Sequence, residues 1–394
     1  MSQHFNWLVT GVTVLLLSSC QNFPAEPLME QTELYISGAE GYHTFRIPAL
    51  VVSTRGTLLA FCEGRKETRE DAGNIHLVLK RSTDGGTTWG PLQIVWKEEG
   101  GGKKTACGNP CPVVDEQTGT IHLAFCRNND RQFITTSDDD GVTWSQPTEI
   151  TDIVDREDWG FYGTGPGHGI QLKLGPAAGR LLIPSYHHEH GAKPGPRSHM
   201  IYSDDHGKTW QLGESVPLAD NARPDPEGEY YAGGECALAE LGPGEVYLNT
   251  RCGNYASKCD RRTFTRSHDG GLTWKPLQVD PALIAPGCHG GVVGYPQRGV
   301  VLHANPASGP DPNWDKGRKQ MMVRASLDGC RTWPASQMLH TGASSYADLA
   351  VLEDGTIVCL YEGGRKHRRE WVRLARFKLE WLLDGQTPIL SEVR

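Results

Sequence analysis

Short apolar runs, each opened by a glycine, recur along the chain at nearly even spacing. Gly56 opens GTLLAFCEGR, Gly119 GTIHLAFCRN, Gly179 GRLLIPSYHH, Gly244 GEVYLNTRCG, Gly299 GVVLHANPAS and Gly355 GTIVCLYEGG. Successive starts lie 55 to 65 residues apart. Most of these glycines follow another apolar stretch, such as residues 47–52, 237–241 or 349–352. An apolar run, a glycine free to take positive φ and a second apolar run together predict a β-hairpin.

A polar signature follows most hairpins. The octet Ser-x-Asp-x-Gly-x-Thr-Trp begins at Ser82, Ser137, Ser203 and Ser267, and again at Ser326 with Cys330 in place of the glycine. It reads as a turn, with the Asp accepting backbone N–H groups, the Gly supplying positive φ and the Trp packing beneath. A third strand leads into each octet, for example residues 75–80 or 321–325, and a fourth follows it. Four strands in a repeat of about 60 residues make one propeller blade. The six hairpins predict an all-β, six-bladed β-propeller over residues 33–394, its last blade lacking the octet as terminal repeats often do.

Composition narrows the class. The chain has 394 residues, 47 of them Gly and 25 Pro, with 22% charged residues and no long amphipathic helix, which suits one soluble β domain and leaves no room for another. The net charge of −8 argues against a nucleic-acid partner. At the start, residues 8–17 (LVTGVTVLLL) are apolar but too short to span a bilayer, and Ser18-Ser19-Cys20 follows. Residues 1–20 are read as a signal peptide. Leu17-Ser18-Ser19-Cys20 resembles a lipoprotein cleavage site, which makes Cys20 the expected point of lipid attachment and membrane anchoring. The n-region departs from that pattern in having no Lys or Arg. Residues 21–32 are then expected to be a tether.

Ten other cysteines include Cys107 and Cys111, four apart, and Cys252 and Cys259 flanking a loop, but no paired CxxC motifs occur. Cys62, Cys126 and Cys359 fall inside apolar strands, where a buried thiol is expected. His187-His188-Glu189-His190 could ligate a metal, but its place in a Gly- and Pro-rich loop favours a solvated or substrate-lining segment. No metal and no cofactor is expected, and the chain is read as a monomer.

Strand direction sorts the polar residues. In an antiparallel blade the start of strand one, the end of strand two and the start of strand three share one rim, while the octets occupy the other. Arg46, Arg65, Asp71, Glu235, Arg251, Arg318 and Tyr346 all fall on the rim opposite the octets. Arginines converging on one end of a channel repel one another. Their natural occupant is an anion, and a guanidinium fork suits a carboxylate. The glycine-rich stretch 163–168 and Asn109-Pro110 lie on the same rim as pocket-lining or plain turn segments.

Phe45-Arg46-Ile47-Pro48, the repeated Asp boxes, Glu63-Gly64-Arg65, Glu235 sixteen residues before Arg251, and Tyr346-Ala347-Asp348-Leu349 resemble the exo-α-sialidase (neuraminidase) family over about nine tenths of the chain. The resemblance implies hydrolysis of terminal α-linked sialic acids from glycoproteins, glycolipids and oligosaccharides, with retention. It implies that Arg46, Arg251 and Arg318 grip the C1 carboxylate, with Arg65 beside them. Asp71 then matches the acid/base, Tyr346 the nucleophile and Glu235 the base that activates it. Arg318 is preferred over the nearby Arg324 as the third arginine because it starts its strand. A trans-sialidase would use the same seven residues. A non-catalytic sialoglycan-binding propeller is disfavoured by the presence of Asp71, Tyr346 and Glu235.

Overall fold

Each glycine-led hairpin is built, and all six opening glycines hold positive φ between 62° and 97°, where a side chain would be strained. The computed structural model describes residues 1, 29–98, 105–190, 196–218, 233–252, 260–309 and 317–383. Within these the regular structure is almost all strand, arranged in five antiparallel sheets.

Four of the sheets run in chain order from strand to strand. The first is Thr44–Val52, Leu58–Arg65, Ile75–Ser82 and Gln93–Trp96. The second is Cys107–Val114, Ile121–Arg127, Arg131–Ser137 and Thr148–Glu149. In the third, Trp159–Thr164 and Ile170–Gln171 both pair with Leu181–Glu189, which leads to Arg197–Ser203 and Gln211–Leu212. The fourth is Cys236–Gly242, Glu245–Thr250, Arg261–Ser267 and Gln278–Ile284.

The fifth sheet has seven strands because one long strand serves two hairpin sets. Ala335–Val351 pairs through its first half with Lys319–Ser326 and through its second half with Ile357–Gly364. Val300–Pro306 and Gly291–Tyr295 extend one side, Trp371–Phe377 and Met29–Ile36 the other. Residues 29–32, expected to be tether, are therefore strand: Met29 to Thr32 pair with Phe377 to Leu374. Tyr35 fixes this strand by burying its ring and donating its hydroxyl to Ala60 O at 2.7 Å. The signal peptide, Cys20, the rest of the tether and Cys259 lie outside the described residues.

Apolar faces close the sheets into a ring. Phe61, Leu77 and Leu123 join the first sheet to the second, Val113 and Ile183 the second to the third, and Leu182 and Leu248 the third to the fourth. Ala237 and Val301 join the fourth to the fifth, and Leu50, Leu360 and Leu374 bring the fifth back to the first. Inner strands surround a central cavity of about 690 Å³ near the octet side, walled by residues such as Leu50, Ile170, Leu241, Val293 and Leu349.

The octets hold one geometry. In the third, Asp205 accepts Thr209 N at 2.9 Å and Thr209 Oγ1 at 2.6 Å, while Ser203 Oγ accepts Gly207 N at 2.8 Å. Cys330 does not break the fifth: it adopts φ 61°, its N–H still reaches Ser326 Oγ at 2.9 Å, and Asp328 accepts Thr332 as elsewhere. Cys62, Cys126 and Cys359 are buried thiols.

Candidate active site

The first strand of the first sheet is bulged where it carries Arg46. Pairing with Leu58–Arg65 shifts register between Arg46 and Ala49, and Ile47 sits at φ 55°, a costly conformation for a β-branched residue. Glu362, fully buried at the end of Ile357–Gly364, holds this kink. Its Oε1 accepts Ile47 N at 2.8 Å and Arg46 Nε at 3.1 Å, while Oε2 accepts Arg46 Nη2 at 3.3 Å. Only Arg46 Nη1 is left facing outward, and it meets Asp71 Oδ1 at 3.0 Å.

Arg65 ends the next strand and repeats the arrangement with Glu63, at 3.0 Å from Nε and 2.6 Å from Nη2. Its Nη1 binds Arg69 O at 2.7 Å and Asp71 Oδ1 at 2.7 Å. Asp71 thus bridges two guanidinium groups from an exposed loop, its own side chain 65% accessible. Burial pushes the Asp71 carboxyl up, but Arg46 and then Arg65 pull it further down, well below the usual carboxylate range.

Across the rim, Glu235 lies just before Cys236–Gly242 and Arg251 just after Glu245–Thr250, so hairpin pairing sets them side by side. Arg251 Nη1 contacts Glu235 Oε2 at 2.8 Å and Tyr346 Oη at 3.4 Å, and Tyr346 donates its hydroxyl to Glu235 Oε1. Burial raises the Glu235 pKa, yet Arg251 leads a set of neighbours that leaves it lowered, so the group beside the phenol is a carboxylate. Tyr346 does not precede a strand, as its sequence position suggested; it sits inside the long strand Ala335–Val351, at the register shift between Ser344 and Ala347. That shift marks the point where the strand passes from one set of partners to the other. Arg46 lies 5.0 Å and Arg318 5.7 Å from the Tyr346 ring centre. Arg318 also reaches Ser345 Oγ at 3.3 Å and Gly287 O at 2.7 Å. Arg324 is directed elsewhere, to Asn305 at 3.0 Å.

All seven residues singled out in the sequence therefore meet in one cluster. The arginines are not bare, however. Among the described residues Arg46, Arg65 and Arg251 each meet a buried carboxylate, because a guanidinium this deeply buried needs a counter-charge and its five N–H groups can serve both that partner and a ligand.

Some contributors escaped the sequence reading. Glu362 occupies the same place in GTIVCLYEGG as Glu63 in GTLLAFCEGR, a signal that was there to find. Tyr186 stands against Gly163 so tightly that any Cβ there would strike its ring, and Glu235 and Tyr346 add to burial in raising its pKa. Phe161 and His188 extend this aromatic wall at 5.6 Å and 5.0 Å. His187 stacks on Trp159 at 3.5 Å and faces His199, so the histidine run is split between core and wall. Among the described residues no group of three or more His, Cys, Asp or Glu is arranged to hold a metal. At the end of the stretch 163–168, His168 Nδ1 meets the fully buried Asp348 at 2.9 Å beside the central cavity.

Comparison with known proteins identifies the family. Residues 56–359 match the model of the BNR repeat-like domain. A sialidase of Micromonospora viridifaciens is 32% identical over 383 residues, covering 91% of this chain but only 55% of its own length. Sialidase-2 of Cricetulus griseus is 31% identical over 384 residues, covering 85% of this chain and 92% of the relative. Among solved structures, a Hadza microbial sialidase superposes with a TM-score of 0.76 at 26% identity, over 89% of this chain and 69% of that one. An intramolecular trans-sialidase from Ruminococcus gnavus shares the fold at a TM-score of 0.71 and 19% identity, over 89% of this chain and 98% of its own. The chain belongs to the sialidase family of glycoside hydrolases.

Proposed function

We propose that this protein is an exo-α-sialidase that removes terminal α-linked sialic acids from glycoproteins, glycolipids and oligosaccharides with retention of configuration, on a six-bladed propeller. The blade count rests on dividing the seven-stranded sheet at its shared strand. The observation that carries the function is the Tyr346 phenol hydrogen-bonded to an ionised Glu235 beneath the guanidinium groups of Arg46, Arg251 and Arg318.

Sialic acid carries a carboxylate on its anomeric carbon, and Arg46, Arg251 and Arg318 are placed to hold it, with Arg65 alongside. A carboxylate nucleophile would approach that carbon against like charge, and sialidases are the recognised exception in using tyrosine. A free phenol, with a pKa of about 10, is a weak nucleophile at neutral pH. Glu235 takes its proton as Tyr346 Oη bonds to the anomeric carbon. Asp71 gives a proton to the departing glycosidic oxygen as that C–O bond breaks. In the second half Asp71 takes a proton from water, the water oxygen bonds to the anomeric carbon as the bond from Tyr346 Oη to that carbon breaks, and Glu235 returns the proton to Tyr346.

Release of a fluorogenic phenol from its α-sialoside, with and without lactose, tests the reading. Free sialic acid in both cases supports hydrolysis. Sialyl-lactose as the main product with lactose would make the protein a transferase, and no release would overturn the proposal. We further propose that residues 1–20 direct export and that Cys20 carries the lipid anchor, which labelling with a fatty-acid analogue in wild-type and Cys20→Ala chains tests.

A further inference from the structure

The chain is acidic overall, yet residues 365–369 read Arg-Lys-His-Arg-Arg. This loop follows Ile357–Gly364, the strand whose Glu362 supports Arg46, so it emerges on the active-site rim. Its shape is fixed by Glu370, whose carboxylate accepts the backbone N–H groups of Arg365, Lys366 and His367 at 2.8 to 2.9 Å. That carboxylate holds the backbone and leaves the Arg365 and Lys366 side chains outside, while Arg368 is buried and His367 and Arg369 are half-buried. Arg365 and Lys366 are exposed and have no ion-pair partner among the described residues.

The loop stands beside Asp71. His367 Nε2 lies 3.5 Å from Arg69 Nη1, two residues before Asp71, and Arg369 is close enough to Arg46 that this neighbour adds to burial in pushing its pKa down to about 10. An acid that protonates the glycosidic oxygen must stand on the leaving-group side. The departing glycan therefore leaves past the Asp71 loop, which residues 365–369 adjoin.

We propose that residues 365–369 form a subsite for an anionic group, a carboxylate or a sulfate ester, on the sugar adjoining the sialic acid that is released. This inference rests on the proposed sialidase activity and names its preferred substrates: glycans in which a second anionic sugar follows the terminal one. Two exposed cations near such a group favour its capture at low salt, and screening removes the advantage.

The test compares matched pairs. One pair is 3′-sialyl-N-acetyllactosamine with and without a 6-sulfate on galactose; the other is α2,8-disialyl-lactose against 3′-sialyllactose. We expect kcat/KM to favour the anionic member of at least one pair by about threefold to tenfold at low ionic strength, falling toward parity near about 0.5 M salt. The pair showing the preference identifies sulfate or carboxylate as the group bound. The double variant Arg365→Ser/Lys366→Ser should lose the preference while its melting curve and its rate on the member without the second anion stay at wild-type values. Equal rates within both pairs at low salt, or a preference that survives in the variant, overturn the subsite. Turnover of an aryl sialoside without any anion preference overturns the subsite alone, whereas no turnover of the aryl sialoside overturns both readings.

Discussion

Asp71 is held in the form that cannot act as an acid. Its carboxylate spans Arg46 Nη1 at 3.0 Å and Arg65 Nη1 at 2.7 Å, and these guanidinium groups overcome burial to keep it ionised. A substrate carboxylate claiming Arg46 would take one of those two partners and add a negative charge nearby. Contact with an arginine lowers an aspartate pKa by about 1–3 units, so ligand binding should return about that much to Asp71. The sign follows: a higher pKa in the complex means that binding takes up a proton at pH values between the two. Calorimetric titration with 2-deoxy-2,3-didehydrosialic acid at about pH 3–4, in buffers of different ionisation enthalpy, counts that proton. Wild type should take up a measurable fraction, and Asp71→Asn none of it. The limb assigned to Asp71 should also lie about 1–3 pH units higher in kcat, which reports the complex, than in kcat/KM, which reports the free enzyme. Binding without proton uptake, or equal uptake in Asp71→Asn, would refute this account of Asp71.

Glu362→Gln puts an amide donor against Arg46, losing a charge-assisted hydrogen bond of about 1.5–3 kcal/mol, and should raise KM about tenfold or more; an unchanged KM would show that Arg46 is held without Glu362. Asp205→Ala removes the bonds from Thr209 and should cost about 1–2 kcal/mol in denaturant unfolding with KM unaltered, since the octets lie away from the site. Burial lowers the His168 pKa but Asp348 raises it more, leaving it above its ordinary value. That contribution to stability is complete below about pH 6.5 and is lost as pH rises through the raised value, so His168→Asn should flatten the fall in unfolding free energy between about pH 6 and 8; an equal slope in both proteins would remove the pair from the account.

Much of the architecture was legible because its signals are local. A glycine that must take positive φ and an octet whose Asp and Ser bind their own turn leave marks within ten residues. Even Cys330 altered the letters and not the bonds. What escaped depends on partners far away in sequence. Met29–Ile36 carries little apolar pattern on its own and becomes a strand because Trp371–Phe377 offers an open edge. The single strand Ala335–Val351 looked like two, since the turn expected before Tyr346 is only a register shift. In the site, residues at strand ends could be placed by strand direction alone, which brought Arg46, Glu235 and Arg251 to one rim. The carboxylates behind the arginines could not be assigned a purpose until the depth of the guanidinium groups was known. Glu362 is buried only because Arg46 is there to meet it.

The identity of the nucleophile is the claim on which the mechanism turns. Incubating the protein with a 2,3-difluorosialic acid donor, which slows breakdown of a glycosyl-enzyme, and mapping the modified peptide by mass spectrometry addresses it directly. The account predicts one sialyl adduct on Tyr346, absent from Tyr346→Phe although that variant still folds and binds ligand. An adduct on any other residue, or normal turnover by Tyr346→Phe, would contradict it.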